Sequence, residues 1–165
     1  MLQPEVRKTF GNRLRVRVCG LCVENDKLLM VKHTGLGRQS YFLAPPGGGM
    51  HFGTDAASNL VREFQEETGI TIAVGTFLFV YEYVNDPLHA VELFFQVEKT
   101  GGNLTAGNDP ELTEADQIIH SVSFLSYQEI KSYPDGQPHG IFNYASSLKE
   151  LLHLRGYFRS SPDRM

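Results

Sequence analysis

Three glutamates, Glu63, Glu66 and Glu67, fall within five residues of the stretch REFQEETGI, residues 62–70. On a helix turning about 100° per residue, Glu67 lies roughly 40° to one side of Glu63 and Glu66 about 60° to the other. The three carboxylates then share one arc about 100° wide. Asn59, one turn earlier, joins that arc, while Ala57, Leu60, Val61 and Phe64 fill the neighbouring one and can face a core. Such a stripe is unfavourable by itself. Its members repel one another by a few tenths of a kcal/mol per pair and oppose the negative end of the helix dipole. A hard divalent cation removes both penalties, since magnesium takes oxygen ligands from a few carboxylates, waters and substrate phosphates. A solvated acidic face is the alternative that the helix alone leaves open.

The preceding segment favours the cation. PPGGGMHFG, residues 45–53, spends four glycines and two prolines just before the helix. Glycine lets backbone approach a ligand closely, and a helix start offers free N–H groups to anions. A tight strand-to-helix turn would also use these residues, but a glycine loop leading into a carboxylate stripe is suited to holding phosphate and metal together.

The remaining elements must position that unit. Valine-rich alternation predicts a strand over Leu14–Glu24, a turn at Glu24–Asp26 and a second strand over Lys27–His33, forming a hairpin. Thr34–Ser40 reads as a loop and Tyr41–Pro45 as a short extended piece. The helix runs from about Asp55 to Thr68. Strands follow over Gly75–Val84 and His89–Glu98, then a polar loop over Thr100–Asp116 and a strand over Gln117–Leu125. Ser126–Tyr133 predicts a short helix capped by Ser126, and Ile141–Gly156 a longer helix ended by Gly156. The tail from Ser160 reads as frayed. Strands mixed with a few helices indicate an α/β layered fold. The length predicts one domain over residues 1–165, with a core from about 12 to 156.

The segment from Gly48 to Ile70 resembles the Nudix box: glycine, five residues, glutamate, seven residues, then Arg-Glu-apolar-x-Glu-Glu-x-Gly-apolar. Gly48, Arg62, Glu63, Phe64, Glu66, Glu67, Gly69 and Ile70 match at the required spacing. The resemblance implies an α/β/α sandwich around a mixed β-sheet, and hydrolysis of a nucleoside diphosphate linked to another moiety. It implies Mg2+ or Mn2+ as cofactor. By position, Glu66 and Glu67 would be metal ligands and Glu63 a ligand or the base that activates water. Arg62 would orient the glutamates, and the carbonyls of Gly47–Gly49, Gly48 among them, would add a metal contact. Thr54 departs from the pattern, standing where the box has its first glutamate. Threonine carries no charge there but can cap the helix. His51 and Asn59 are candidate substitutes, weighed against an exposed loop histidine and a surface asparagine.

Other chemistry is less sharply placed. Lys32 and Arg38, ahead of the box, and Arg15 and Arg17 on the first strand, could meet phosphate oxygens. Tyr41, Phe42 or Tyr83 could stack on a base. Glu111, Glu114 and Asp116 are bases outside the box. Cys19 and Cys22 spell C-x-x-C, but on a strand positions three apart point to opposite faces, so neither zinc nor redox chemistry is expected.

A formal net charge of −4 lacks the basic stripe of a nucleic-acid binder, so a small nucleotide derivative is the expected partner. No segment reads as a signal peptide or membrane span, which predicts a cytoplasmic protein. Strand edges leave a homodimer open. Two other readings remain: a Nudix-fold module that senses a nucleotide without cleaving it, and an isoprenoid diphosphate isomerase, which would need a poised cysteine–glutamate pair.

Overall fold

A computed structural model describes residues 4–34, 41–108, 112–114 and 117–160. Eight strands form one mixed sheet: β1 (Arg13–Glu24), β2 (Lys27–Thr34), β3 (Tyr41–Ala44), β4 (Gly47–Gly49), β5 (Ile70–Asn85), β6 (Leu88–Gly102), β7 (Ile119–Leu125) and β8 (Gly156–Arg159). The order is β3-β2-β1-β6-β5-β8, with β4 paired to β1 and β7 to β2. Helices are α1 (Pro4–Phe10), α2 (Ala56–Thr68), α3 (Tyr127–Lys131) and α4 (Leu148–His153), with a 3₁₀ turn at Gly140–Asn143.

The β1–β2 hairpin forms as the sequence predicts. Asn25 and Asp26 both take positive φ, as a two-residue turn that matches strand twist requires. Its pairing lasts only through Val23–Leu28 and Glu24–Lys27. Beyond that the strands part. Arg17–Cys19 of β1 pair with Gly49–Gly47 of β4, and β1 runs parallel to β6, while β2 pairs with β3 and β7. The glycine strand therefore sits where the sheet splits. Gly47 can occupy that place because it has no Cβ, which would fall 2.2 Å from the Val18 carbonyl oxygen.

Alternation along β1 divides two cores. Cys19 and Leu21 pack with Leu28, Met30, Leu43, Phe79, Phe94 and residues of α3 and α4 on one face. Val18 and Cys22 pack with Leu29, Val97 and the Leu60 and Phe64 side chains of α2 on the other. Gly20 lets α2 close on the sheet, since a Cβ there would meet the Phe64 ring at 2.5 Å. The two cysteines are buried on opposite faces, as strand geometry requires.

Four expectations need correction. The N-terminal segment forms α1, whose Phe10 is buried against Ile118, so packing begins before residue 12. The helix expected over Ile141–Gly156 is broken: Ser147 caps a new helix by accepting from the Glu150 N–H, and that helix ends at Leu154. Gly156 opens β8 rather than closing a helix, pairing with Phe79. The central strands extend beyond their predicted bounds, to Ile70–Asn85 and Leu88–Gly102, because the register continues through bulges in β5. The short helix capped by Ser126 is present with a full capping box to Glu129. The loop over 35–40 and the tail from 161 lie outside the described residues.

Candidate active site

Asp55, not Thr54, caps α2: its Oδ1 accepts from the Ser58 N–H at 2.9 Å. Asp55 takes the extended backbone of a capping residue, which places Thr54 one step too early. At the other end Gly69 adopts φ 71° and its N–H closes on the Gln65 carbonyl. The loop after β6 covers that end, with Thr105 N–H donating to Thr68 O and Gly107 N–H to Glu67 O.

Two members of the stripe predicted on α2, Glu63 and Glu67, lie against the glycine strand. Glu67 Oε2 accepts from the Gly47 N–H at 2.9 Å. Gly48 lies against Glu63, where a Cβ would fall 2.2 Å from the carboxylate. Arg62 bridges two members, donating from Nη2 to Glu63 Oε1 and from Nη1 to Glu66 Oε2, both at 2.8 Å. The same guanidinium reaches the Gly49 carbonyl at 3.3 Å. Glu63 and Glu67 are buried and Glu66 is half-buried.

Burial foremost, then repulsion from Glu67, pushes the Glu63 carboxyl up to about 7 against the pull of Arg62. Glu63 and Glu67 are thus crowded in a poorly solvated place, with Arg62 paired to Glu63 and to Glu66. Among the described residues, no three His, Cys, Asp or Glu side chains already converge as a metal shell. The donor set nevertheless fits a hard divalent cation. It is all oxygen, its charges repel, and the missing Gly48 Cβ leaves the Glu63 carboxylate open to the glycine strand.

Asn59 is not a surface residue. It is fully buried, and its side chain is used throughout. Oδ1 accepts from the His51 N–H at 2.9 Å and from Arg62 at 3.4 Å. Nδ2 donates to the carbonyls of Thr54 at 3.0 Å and Asp55 at 2.7 Å. Asn59 therefore ties the glycine loop to Arg62. Thr54 and the His51 side of that loop are exposed.

Residues outside the box are distributed differently. Lys32 stands over the Tyr41 ring at 3.9 Å and the Tyr133 ring at 5.4 Å, on the strand face it shares with Leu43. Arg15 stands over Phe10. Glu114 is exposed, and Arg38, Glu111 and Asp116 lie outside the described residues. Tyr83 packs against the core, while Phe42 tilts against His33 and His139. Two groups escaped sequence reading. His33 is buried with Nε2 3.8 Å from Glu67 Oε1. Its position on the Leu29 and Val31 face of β2 was the available signal. The second is Glu92 with His139, both buried, which form a cluster with the half-buried Arg17, named above as a phosphate candidate, on the opposite side of Gly47. Burial, then Glu92, pushes the Cys19 thiol well above its usual range. Cys19 Sγ donates to Glu92 Oε1 at 3.9 Å, so it is a buried, hydrogen-bonded thiol.

A model of the NUDIX domain matches residues 11–143. The chain belongs to the Nudix hydrolase family. An ADP-ribose pyrophosphatase of Methanocaldococcus jannaschii is 34% identical over 122 residues, 72% of each chain. An uncharacterized Nudix hydrolase of Bacillus subtilis is 29% identical over 153 residues, 90% of this chain and 88% of its own. The crystal structure of a MutT NUDIX hydrolase from Burkholderia pseudomallei superposes with a TM-score of 0.62 at 19% identity, over 77% of this chain and 92% of that one, a likeness of fold. The α/β/α arrangement expected from the Nudix box is therefore the fold observed. Nudix hydrolases as a family use divalent metals on small nucleotide derivatives. Among the described residues no helix is long and apolar enough to cross a membrane.

Proposed function

We propose that this Nudix hydrolase cleaves the pyrophosphate bond of a nucleoside diphosphate linked to another moiety, with ADP-ribose the first candidate, using Mg2+ or Mn2+. The observation that carries the reading is the pair of buried carboxylates at the glycine strand, Glu63 against Gly48 and Glu67 on the Gly47 N–H, with Glu66 tied to Glu63 through Arg62. The 34% identical ADP-ribose pyrophosphatase supports the substrate. Nucleotide sugars, dinucleoside polyphosphates and nucleoside triphosphates are the other members of the class.

Glu66 and Glu67 would hold the metal, with Glu63 and the Gly48 carbonyl beside them. A divalent cation there supplies charge neutralisation at phosphate oxygens and a lowered pKa for water. Arg62 orients Glu63 and Glu66 through separate nitrogens and is itself anchored on Gly49 and Asn59. The Gly47 N–H sets the rotamer of Glu67. When it is not a ligand, Glu63 would be the carboxylate that accepts a proton from water. Lys32 and Arg38 remain proposed phosphate contacts. A cytoplasmic setting and a single catalytic domain, as monomer or homodimer, accompany this reading.

The test is phosphate-bond hydrolysis of ADP-ribose and related compounds with Mg2+ or Mn2+. Turnover of one compound, lost in Glu66→Gln, supports the proposal. Metal-dependent binding without turnover would instead make the protein a nucleotide sensor, consistent with threonine at position 54.

A further inference from the structure

Beneath the glycine strand, on the side away from α2, lies a charge cluster that the proposed hydrolysis does not use, with Glu92 and His139 buried and Arg17 half-buried. Arg17 Nε stands 3.1 Å from Glu92 Oε1, off the line of a hydrogen bond. The other Glu92 oxygen, Oε2, lies 2.7 Å from His139 Nε2. His139 Nδ1 accepts from the Ile141 N–H at 3.2 Å, so the ring proton is on Nε2 and donates to Glu92. Phe42, Tyr81 and Phe94 surround the His139 ring with centroids 5.9, 4.8 and 5.6 Å away. Its backbone N–H is bonded to Leu43 O at 2.8 Å. Each member has its orientation set by the next, and the last is fixed to the sheet.

The cluster does not close on itself. Arg17 Nη2 reaches the Gly47 carbonyl at 3.3 Å, and the N–H of that same glycine holds Glu67 Oε2 at 2.9 Å. Gly47 is thus gripped from both sides, in a slot that admits no Cβ.

A buried ion pair is a poor way to gain stability. The desolvation cost of its charges consumes most of their attraction, and apolar residues of similar size would serve the core as well. A guanidinium does what an apolar residue cannot: it holds a backbone carbonyl in a fixed direction. Partners of a ligating side chain commonly tune a metal site, and Arg17 stands one step further back, bonded to the glycine that bonds Glu67.

We propose that Arg17, held in place by Glu92 and His139, is a positioning residue for Glu67, acting through Gly47, whose carbonyl it holds and whose N–H, on the adjoining peptide, holds Glu67. This rests on the reading of Glu67 as a metal ligand. Arg17 Nη2 is spent on the Gly47 carbonyl and its Nε faces Glu92.

The test is Mn2+ affinity, read as free Mn2+ by electron paramagnetic resonance, on full-length wild type, Glu67→Gln, Arg17→Met and the double variant Arg17→Met/Glu92→Gln. The double variant removes both charges of the pair and so avoids the lone buried carboxylate that Arg17→Met leaves. The expected result is Mn2+ binding about 10-fold weaker in both Arg17 variants, while the double variant regains the thermal stability of wild type. Wild-type affinity in the double variant would overturn the proposal, because Arg17 would then only neutralise Glu92. Wild-type affinity in Glu67→Gln, or no Mn2+ binding by wild type, would remove the carboxylate site itself and the proposal with it.

Discussion

Asn59 gives the sharpest prediction about how the box is assembled. Asn59→Leu keeps the size of the side chain and removes all of its hydrogen bonds. Three of these are 3.0 Å or shorter, to His51 N–H, Thr54 O and Asp55 O. At about 1 kcal/mol each, the loss is about 3 kcal/mol. Some of it returns because the loop over 51–55 is exposed and its groups can turn to water. Asp55 O also keeps its bond from the backbone N–H of residue 59. A net loss of about 2 kcal/mol remains, and for a chain of this size each kcal/mol lowers Tm by about 3 °C. Thermal unfolding should therefore shift down by about 6 °C. Activity should fall further than stability, by about 10-fold in kcat at a temperature where the variant is folded, because Arg62 loses an anchor. A Tm within about 2 °C of wild type would refute the claim that Asn59 ties loop to helix. A normal kcat with the expected Tm loss would refute the coupling to Arg62.

The other predictions address single contacts. Gly48→Ala should abolish hydrolysis while the protein stays folded, because its Cβ would overlap the Glu63 carboxylate; circular dichroism and turnover together check this. Asp55→Ala should cost about 1 kcal/mol of stability in urea unfolding and Thr54→Ala almost nothing, since Asp55 is the cap. For Glu92, burial pushes the carboxyl up, but His139 and Arg17 outweigh it and hold it below the usual carboxylate range. A carboxyl with a depressed native pKa adds stability above its unfolded pKa and loses it as pH falls through the native one. Thermal scans below about pH 4.5 should therefore fall less steeply for Arg17→Met/Glu92→Gln than for wild type.

Much of the site was legible because its signals are local. The carboxylate stripe follows from helical period, the glycine run from chemistry that other residues cannot replace, and the C-terminal Gly69 from the backbone it must adopt. What escaped was set by partners distant in sequence. Strand alternation places Glu92 beside Phe94 on a buried face, but only the fold brings Arg17 and His139 to it, from 75 residues before and 47 after. Asn59 was on the predicted arc, yet its burial depends on the loop folding back over it. The break in the last helix did have a local sign, the Ser147–Glu150 spacing of a helix start, which the apolar periodicity of the segment masked.

The central claim is that the carboxylates gathered by Arg62 hydrolyse a nucleoside diphosphate derivative. The most direct measurement is turnover of ADP-ribose with Mg2+ or Mn2+ by wild type and Glu66→Gln, with products resolved by chromatography. The account predicts AMP and ribose 5-phosphate from wild type and a loss of at least about 100-fold in the variant. Equal turnover by both proteins would contradict it.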